Sequence, residues 1–166
     1  ALSLSGYVRA ARGAAVALLD VAPIGPDYLP GHAHADTLSF ELSLHGREVI
    51  VNRGTSVYGE GPRRQLERST AAHSTVQLGT QDSSEVWAGF RVGRRARPLE
   101  VSIEGWQIAA AHDGYAHLPG RPLHRRRWRF ESDHSLVVED RIEPAAATRQ
   151  SALARFHLAP GLRCEP

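Results

Sequence analysis

The sequence predicts an all-β fold, an antiparallel two-sheet β-sandwich, on three observations. Short apolar stretches recur along the chain, separated by Gly, Pro, Asp and Ser. In one of them, residues 37–44, Leu38, Phe40, Leu42 and Leu44 point one way, and Thr37, Ser39, Glu41 and Ser43 the other. His45-Gly46 then separates that stretch from residues 48–52 as a tight hairpin turn. Gly supplies positive φ there, and His tolerates it better than most residues.

In chain order, the strand candidates are 14–20, 37–44, 48–52, 74–78, 86–92, 99–103, 106–112, 123–130, 135–142 and 152–158. Gly105 marks a second hairpin between 99–103 and 106–112. No long helix pattern stands out. Residues 54–72 are rich in Gly, Arg, Ser and Thr and show no periodicity. They read as a long connection, the kind that is often functional or mobile. Residues 123–130 place Arg125, Arg127 and Arg129 on one strand face, with Arg126, Trp128 and Phe130 on the other. An Arg ladder suits carboxylates or sulfates. The simpler reading, a solvated face paired with Glu139, Asp140 and Glu143 of the next strand, is preferred. Trp87, Trp106 and Trp128 are expected in the core.

The 166 residues form one domain, 1–166, with enough chain for a real core. A formal charge of +2 does not indicate a strong generic nucleic-acid binder. All basic residues are Arg, which reads as compositional bias. Met is absent and the chain begins Ala1-Leu2-Ser3, so a processed chain or a piece of a longer protein is expected. No apolar run is long enough to cross a membrane as a helix. The single Cys164 excludes an internal disulfide. There is no phosphate-binding Gly loop, nucleophile elbow or Cys cluster, which argues against nucleotide, serine-hydrolase and zinc-finger functions.

The chemistry concentrates in Gly31-His32-Ala33-His34-Ala35-Asp36. In an extended chain, the i, i+2, i+4 spacing puts His32, His34 and Asp36 on one face. His73 lies beyond the long loop and Asn52 ends the neighbouring hairpin strand. Neutral imidazole and carboxylate are both zinc ligands. A polar surface turn is the competing reading, and Asn52 equally reads as a turn-starting residue before Gly54. Tyr58, Arg63, Arg64 and Arg68 sit in the long loop, as binding groups or as plain loop polarity.

Three motifs together resemble a known family. They are Gly31-His32-Ala33-His34-Ala35-Asp36-Thr37-Leu38-Ser39-Phe40, Val51-Asn52-Arg53-Gly54-Thr55-Ser56-Val57-Tyr58 and Arg68-Ser69-Thr70-Ala71-Ala72-His73-Ser74-Thr75-Val76. With His112-Asp113-Gly114-Tyr115 and Leu123-His124-Arg125-Arg126, they are similar to the C-terminal portion of heparinase II/III polysaccharide lyases. The resemblance implies a supersandwich-like β-sandwich that follows an N-terminal α/α toroid, which this chain lacks. It implies β-elimination on an acidic, uronic-acid polysaccharide in the cleft between the two. His32 would be catalytic, the toroid would add a Tyr and another His or Asn, and Tyr58 and Arg68 would contact substrate. A structural zinc would be held by His34, Asn52 and His73. The family usually has Asp where Asn52 stands, and a neutral amide weakens zinc binding, leaving water or Asp36 to complete the site. A periplasmic or secreted bacterial parent is implied, and the chain alone is expected to be inactive. The rival reading is a non-catalytic carbohydrate-binding or structural sandwich.

Overall fold

The computed structural model describes residues 5–144 and 150–165. Strands β1 (Tyr7–Arg12), β2 (Ala15–Asp20), β3 (Phe40–Leu44) and β4 (Arg47–Ile50) form one antiparallel sheet in chain order. Strands β8 (Pro98–Glu104), β9 (Gln107–His112), β10 (Leu123–Phe130) and β11 (Leu136–Glu143) form the second. Strand β5 (Val76–Leu78) pairs with β12 (Ala152–Ala154), and β6 (Val86–Trp87) with β7 (Arg91–Val92). One helix, α1 (Pro62–Arg68), lies between β4 and β5.

Alternation explains the core. Leu19, Phe40 and Leu42 of the first sheet are buried against Ile108, Trp128 and Phe130 of the second. Phe40 and Trp128 meet edge to face, with ring centroids 6.5 Å apart. The architecture is therefore the sandwich that the sequence predicts. His45 and Gly46 both take positive φ, 51° and 74°, and make the β3–β4 turn. Glu104 opposes Gln107 across the turn at Gly105.

Several local expectations are corrected. Strand β3 begins at Phe40 rather than at residue 37, because Leu38 is left-handed (φ 62°). Thr37 and Ser39 are therefore buried instead of facing solvent. Residues 86–92 are two strands with a turn at Ala88, not one. Trp87 and Trp106 are 43% and 51% exposed, so only Trp128 belongs to the core. Strand β1 was not among the sequence candidates, and α1 lies within the stretch read as a loop.

On the outer face of β10, Arg125 pairs with Glu143 at 2.6 Å and with Glu100, and Arg127 with Glu139 at 3.4 Å. The inner face carries a buried polar chain. Gly114 N–H donates to His112 Nδ1, so His112 Nε2–H donates to His124 Nδ1 (3.0 Å) and His124 Nε2–H to Asp140 (2.7 Å). Each ring holds one proton. Burial lowers both histidines, and the neighbouring His124 lowers His112 further.

This burial gives a pH dependence. Below about pH 6.5 the unfolded chain protonates these rings and the native chain does not. Each such proton removes about 1.4 kcal/mol of stability per pH unit. His34 and His73, lowered by burial to about 4 and about 3, act in the same direction. Asp20, raised to about 7 by burial, acts in the opposite direction, because the native chain holds its proton as pH falls from 7 towards 4. Asp36, Glu41 and Asp82, raised by burial, act with Asp20, and His117 and His157, lowered by burial, act with the four histidines, so among the described residues six histidines stand against four carboxylates. The melting temperature is expected to fall between pH 7 and pH 5, and His112→Gln to flatten that fall. Melts across this range check it; a steady rise on acidification is the contrary result.

Candidate functional site

The site is assembled where residues 30–36 meet the end of α1. Pro30 starts a single 3-10 turn that ends at His32, closed by Ala33 N–H on Pro30 O (3.1 Å). Residues 33–35 then lie against 68–70. Ala35 N–H donates to Arg68 O (2.8 Å), and Thr70 Oγ1 to Ala35 O (2.8 Å). This lacing brings His34 to His73.

Helix α1 supplies the underside. Gly61 precedes it with φ 152°, and Pro62 occupies its first turn. Its buried face is charged: Arg64, Glu67 and Arg68, spaced i, i+3, i+4. Ser56 donates its N–H (3.0 Å) and its hydroxyl to Glu67, and these bonds hold that carboxyl down at about 2.

Arg68, expected at the substrate, is fully buried instead. Its guanidinium donates to the carbonyls of Ala33, Trp87, Ala88 and Arg91 at 3.0–3.1 Å. It braces the His32 turn against the β6–β7 hairpin and has little left to offer a ligand. Arg64, also buried, donates to Gly31 O, Gly89 O and Thr55 Oγ1.

The imidazoles form a chain. Arg64 Nη1 lies 3.2 Å from His34 Nε2, and guanidinium can only donate. His34 Nδ1–H then faces His73 Nε2 at 3.3 Å, and His73 Nδ1–H faces Asn52 Oδ1 at 3.0 Å. Gly54 N–H donates to the same amide oxygen. Burial, then Arg64 and Arg68, lowers His34; burial, then His34, lowers His73. Both rings are therefore neutral, the form that ligates metals. Burial, then Asp20, raises Asp36.

Donor atoms of His34, Asp36 and His73 lie within 4.8 Å of one another, so this group could hold a metal ion. The 3.3 Å between the two facing nitrogens fits neighbouring corners of a tetrahedron with bonds of about 2.0–2.1 Å. Asn52 lies on the other nitrogen of His73, away from the one that faces His34. The ligand set His34, Asn52, His73 is therefore only partly assembled as expected: the three residues are together, but Asp36 is the closer match for the third ligand.

His32 is exposed, two residues above this group. Tyr58, 53% exposed, stands edge-on to it with ring centroids 5.6 Å apart. The Arg64 guanidinium lies 5.6 Å from the Tyr58 ring. His32 and Tyr58 thus form an open surface over a buried polar support.

The family model described as Heparinase II/III-like, C-terminal matches residues 1–165. The chain belongs to the heparinase II/III-like C-terminal family. Solved structures agree with the fold of this heparinase II/III-like domain. A heparan sulfate lyase from Pedobacter heparinus is 23% identical with a TM-score of 0.58, over 83% of this chain and 21% of that chain. A structure described as heparinase III is 22% identical with a TM-score of 0.62, over 83% of this chain and 21% of that one. At this identity the likeness shows the fold. This heparinase II/III-like domain spans about a fifth of the length of those structures. Among curated proteins there is no match. Among the described residues, no helix is long and apolar enough to cross a membrane.

Two contacts at the site were not readable from the sequence, those of Arg64 and of Thr55 with His34, whereas Asp36 was among the expected candidates to complete the site. The helix-starting Gly61-Pro62 and the 64, 67, 68 spacing were the available signals for the first.

Proposed function

We propose that this chain is the sandwich half of a polysaccharide lyase active site, with the other half in the rest of a longer, periplasmic or secreted parent. The substrate class is uronic-acid polysaccharide and the reaction is β-elimination. The observation that carries the reading is the exposed His32–Tyr58 pair seated on buried His34 and His73 and half-buried Asp36 in a heparinase II/III-like domain.

The elimination removes the proton on the carbon next to the uronate carboxyl. The electron pair forms the new double bond as the glycosidic oxygen departs. An imidazole at His32 can take the proton or donate to the developing enolate. Tyr58 restricts the orientation of His32 and presents a hydroxyl on the same face. Held by Arg68 and by the Pro30 turn, His32 need not be ordered when substrate arrives.

Zinc suits two imidazoles and a carboxylate, and His34, Asp36 and His73 would hold it. When bound, it supplies a fixed positive charge that ties the His32 segment to residue 73. Ligation through Nδ1 would move the His34 proton to Nε2, where Thr55 Oγ1, 3.1 Å away, would accept it and the bond from Arg64 Nη1 would be given up. Asn52 would fix the ring of His73 from outside the ligand set.

The test compares the chain with its parent on heparan-type and alginate substrates, by ultraviolet absorbance of the unsaturated product. The chain alone is expected to be inactive. His32→Ala in the parent is expected to lower kcat by about 10²- to 10⁴-fold. Unchanged turnover would favour the rival reading, a non-catalytic carbohydrate-binding or structural sandwich.

A further inference from the structure

A groove of about 860 Å³ lies between residues 23–27 and the run Arg94-Arg95-Ala96-Arg97. That volume falls within the range of ligand sites, about 300–1,000 Å³. We propose that the groove binds acidic units of the polysaccharide at a distance from the scissile bond; the proposal rests on the lyase reading.

Three guanidinium groups line it, each in a different state. Arg94 is anchored from below, donating to Ser83 O (2.9 Å), Gly114 O (2.5 Å) and Asp82 O (3.4 Å). Carbonyls satisfy its hydrogens but do not neutralise its charge. Among the described residues no carboxylate lies within ion-pair distance of it, but the Asp82 carboxylate feels its charge and its backbone N–H donates to Glu85 Oε2 (3.3 Å), so part of its positive field reaches the groove. Arg95 is held by Ile24 O (2.7 Å) and Asp27 (3.4 Å). The Asp27 carboxylate is 93% exposed, so the pair is largely screened. Arg97 is exposed, and its guanidinium has no partner among the described residues. Its backbone N–H takes up Asp113 Oδ1 at 2.7 Å. Against three guanidinium groups the lining sets two carboxylates, Asp27 and Asp113, so it keeps a small excess of positive charge.

The chemistry selects the ligand. A planar guanidinium fork matches carboxylate and sulfate bidentately. Ile24, Ala96 and Pro98 give an apolar floor, suited to the CH face of a sugar ring. Mixed apolar floor and separated cations fit an acidic polysaccharide, whose rings present CH faces between the charges, better than a nucleic-acid backbone. The position fits too. Asp27 precedes His32 by five residues, at most about 18 Å of chain. One strand can therefore reach both His32 and the groove.

Calorimetric titration of this chain tests the proposal, with hexasaccharides of heparin and of alginate, a neutral hexasaccharide, and single-stranded DNA of equal charge. Both acidic sugars are expected to bind, with Arg97→Ala lowering affinity about tenfold and Arg95→Gln with Arg97→Ala lowering it further. Arg97→Lys is expected to recover only part. Arg97 carries no packing role, so Arg97→Ala is expected to melt like the native chain. Three results would overturn the groove: native-like binding by the double variant, equal binding of the neutral sugar, or equal binding of DNA. Loss confined to Tyr58→Ala would overturn it as well, while leaving the lyase reading intact. That reading is decided separately, by His32→Ala in the parent.

Discussion

Asp36→Asn is expected to abolish zinc binding, whereas Asn52→Leu lowers it only by about ten- to a hundredfold. The difference follows from where each side chain stands. His34 Nδ1 and His73 Nε2 face each other at 3.3 Å, and the Asp36 carboxylate closes the same group. Both imidazoles are neutral, so Asp36, on giving up to the metal the proton that its surroundings favour, is the one group of the three that brings a charge to a dication. Losing it removes a ligand and the charge partner together. Asn52 takes the proton of His73 Nδ1 at 3.0 Å, which leaves Nε2 free to ligate. Outer partners of this kind tune affinity by about ten- to a hundredfold. Asn52→Asp is expected to raise affinity modestly, because a carboxylate accepts the same proton more strongly. Chelator competition measures all three, and cobalt substitution reports the ligand set by its absorption. A silent Asp36→Asn together with a rise of more than about a hundredfold for Asn52→Asp would restore His34, Asn52 and His73 as the ligands.

The strands were legible where alternation and turn chemistry agreed. The β3–β4 hairpin at His45-Gly46 and the inward Trp128 and Phe130 of β10 are such places. Legibility failed where burial was polar. Helix α1 turns Arg64, Glu67 and Arg68 inward, a pattern that hydrophobic periodicity cannot register. These charges are buried because carbonyls of the His32 turn and the β6–β7 hairpin need donors, a demand set by residues distant in sequence. The reading of His32, His34 and Asp36 as one strand face failed differently. Residues 30–32 are a helical turn and Leu38 is left-handed, so the segment is bent rather than extended. His32 is left outside while His34 is buried. The i, i+2, i+4 spacing still placed the right residues together, through a different geometry. Exposed Trp87 and Trp106 show the limit of reading large aromatics as core.

Arg126→Ala is expected to be the most destabilising single change, at about 3–5 kcal/mol, because it empties a fully buried position and leaves the half-buried Asp140 carboxylate with His124 as its remaining donor. Arg126 Nε and Nη2 donate to both oxygens of Asp140 at 2.7 and 2.8 Å. Burial alone would raise the Asp140 carboxyl; hydrogen bonds from Arg126 and His124 hold it below the usual carboxylate range. Rings of Phe40, Trp128 and Phe156 surround the guanidinium within 5.9 Å. Nη1 reaches out of this core to Leu38 O (2.9 Å) and Ser74 O (2.6 Å). Those carbonyls follow Asp36 and His73 in the chain, so one side chain ties the second sheet to both arms of the metal group. At this chain length the loss corresponds to a fall in melting temperature of about 6–20 °C. Arg126→Met with Asp140→Leu is expected to recover much of the stability, since an apolar pair of similar volume removes the unpaired charge. It does not recover the bonds to Leu38 and Ser74, so zinc affinity is expected to stay below that of the native chain even where the melting temperature returns. Thermal melts and chelator competition on the single and double variants separate the two effects. A single variant that melts within about 1 kcal/mol of the native chain would show that Asp140 finds water or another donor, and that the link through Arg126 is not what holds residues 36 and 73 in place.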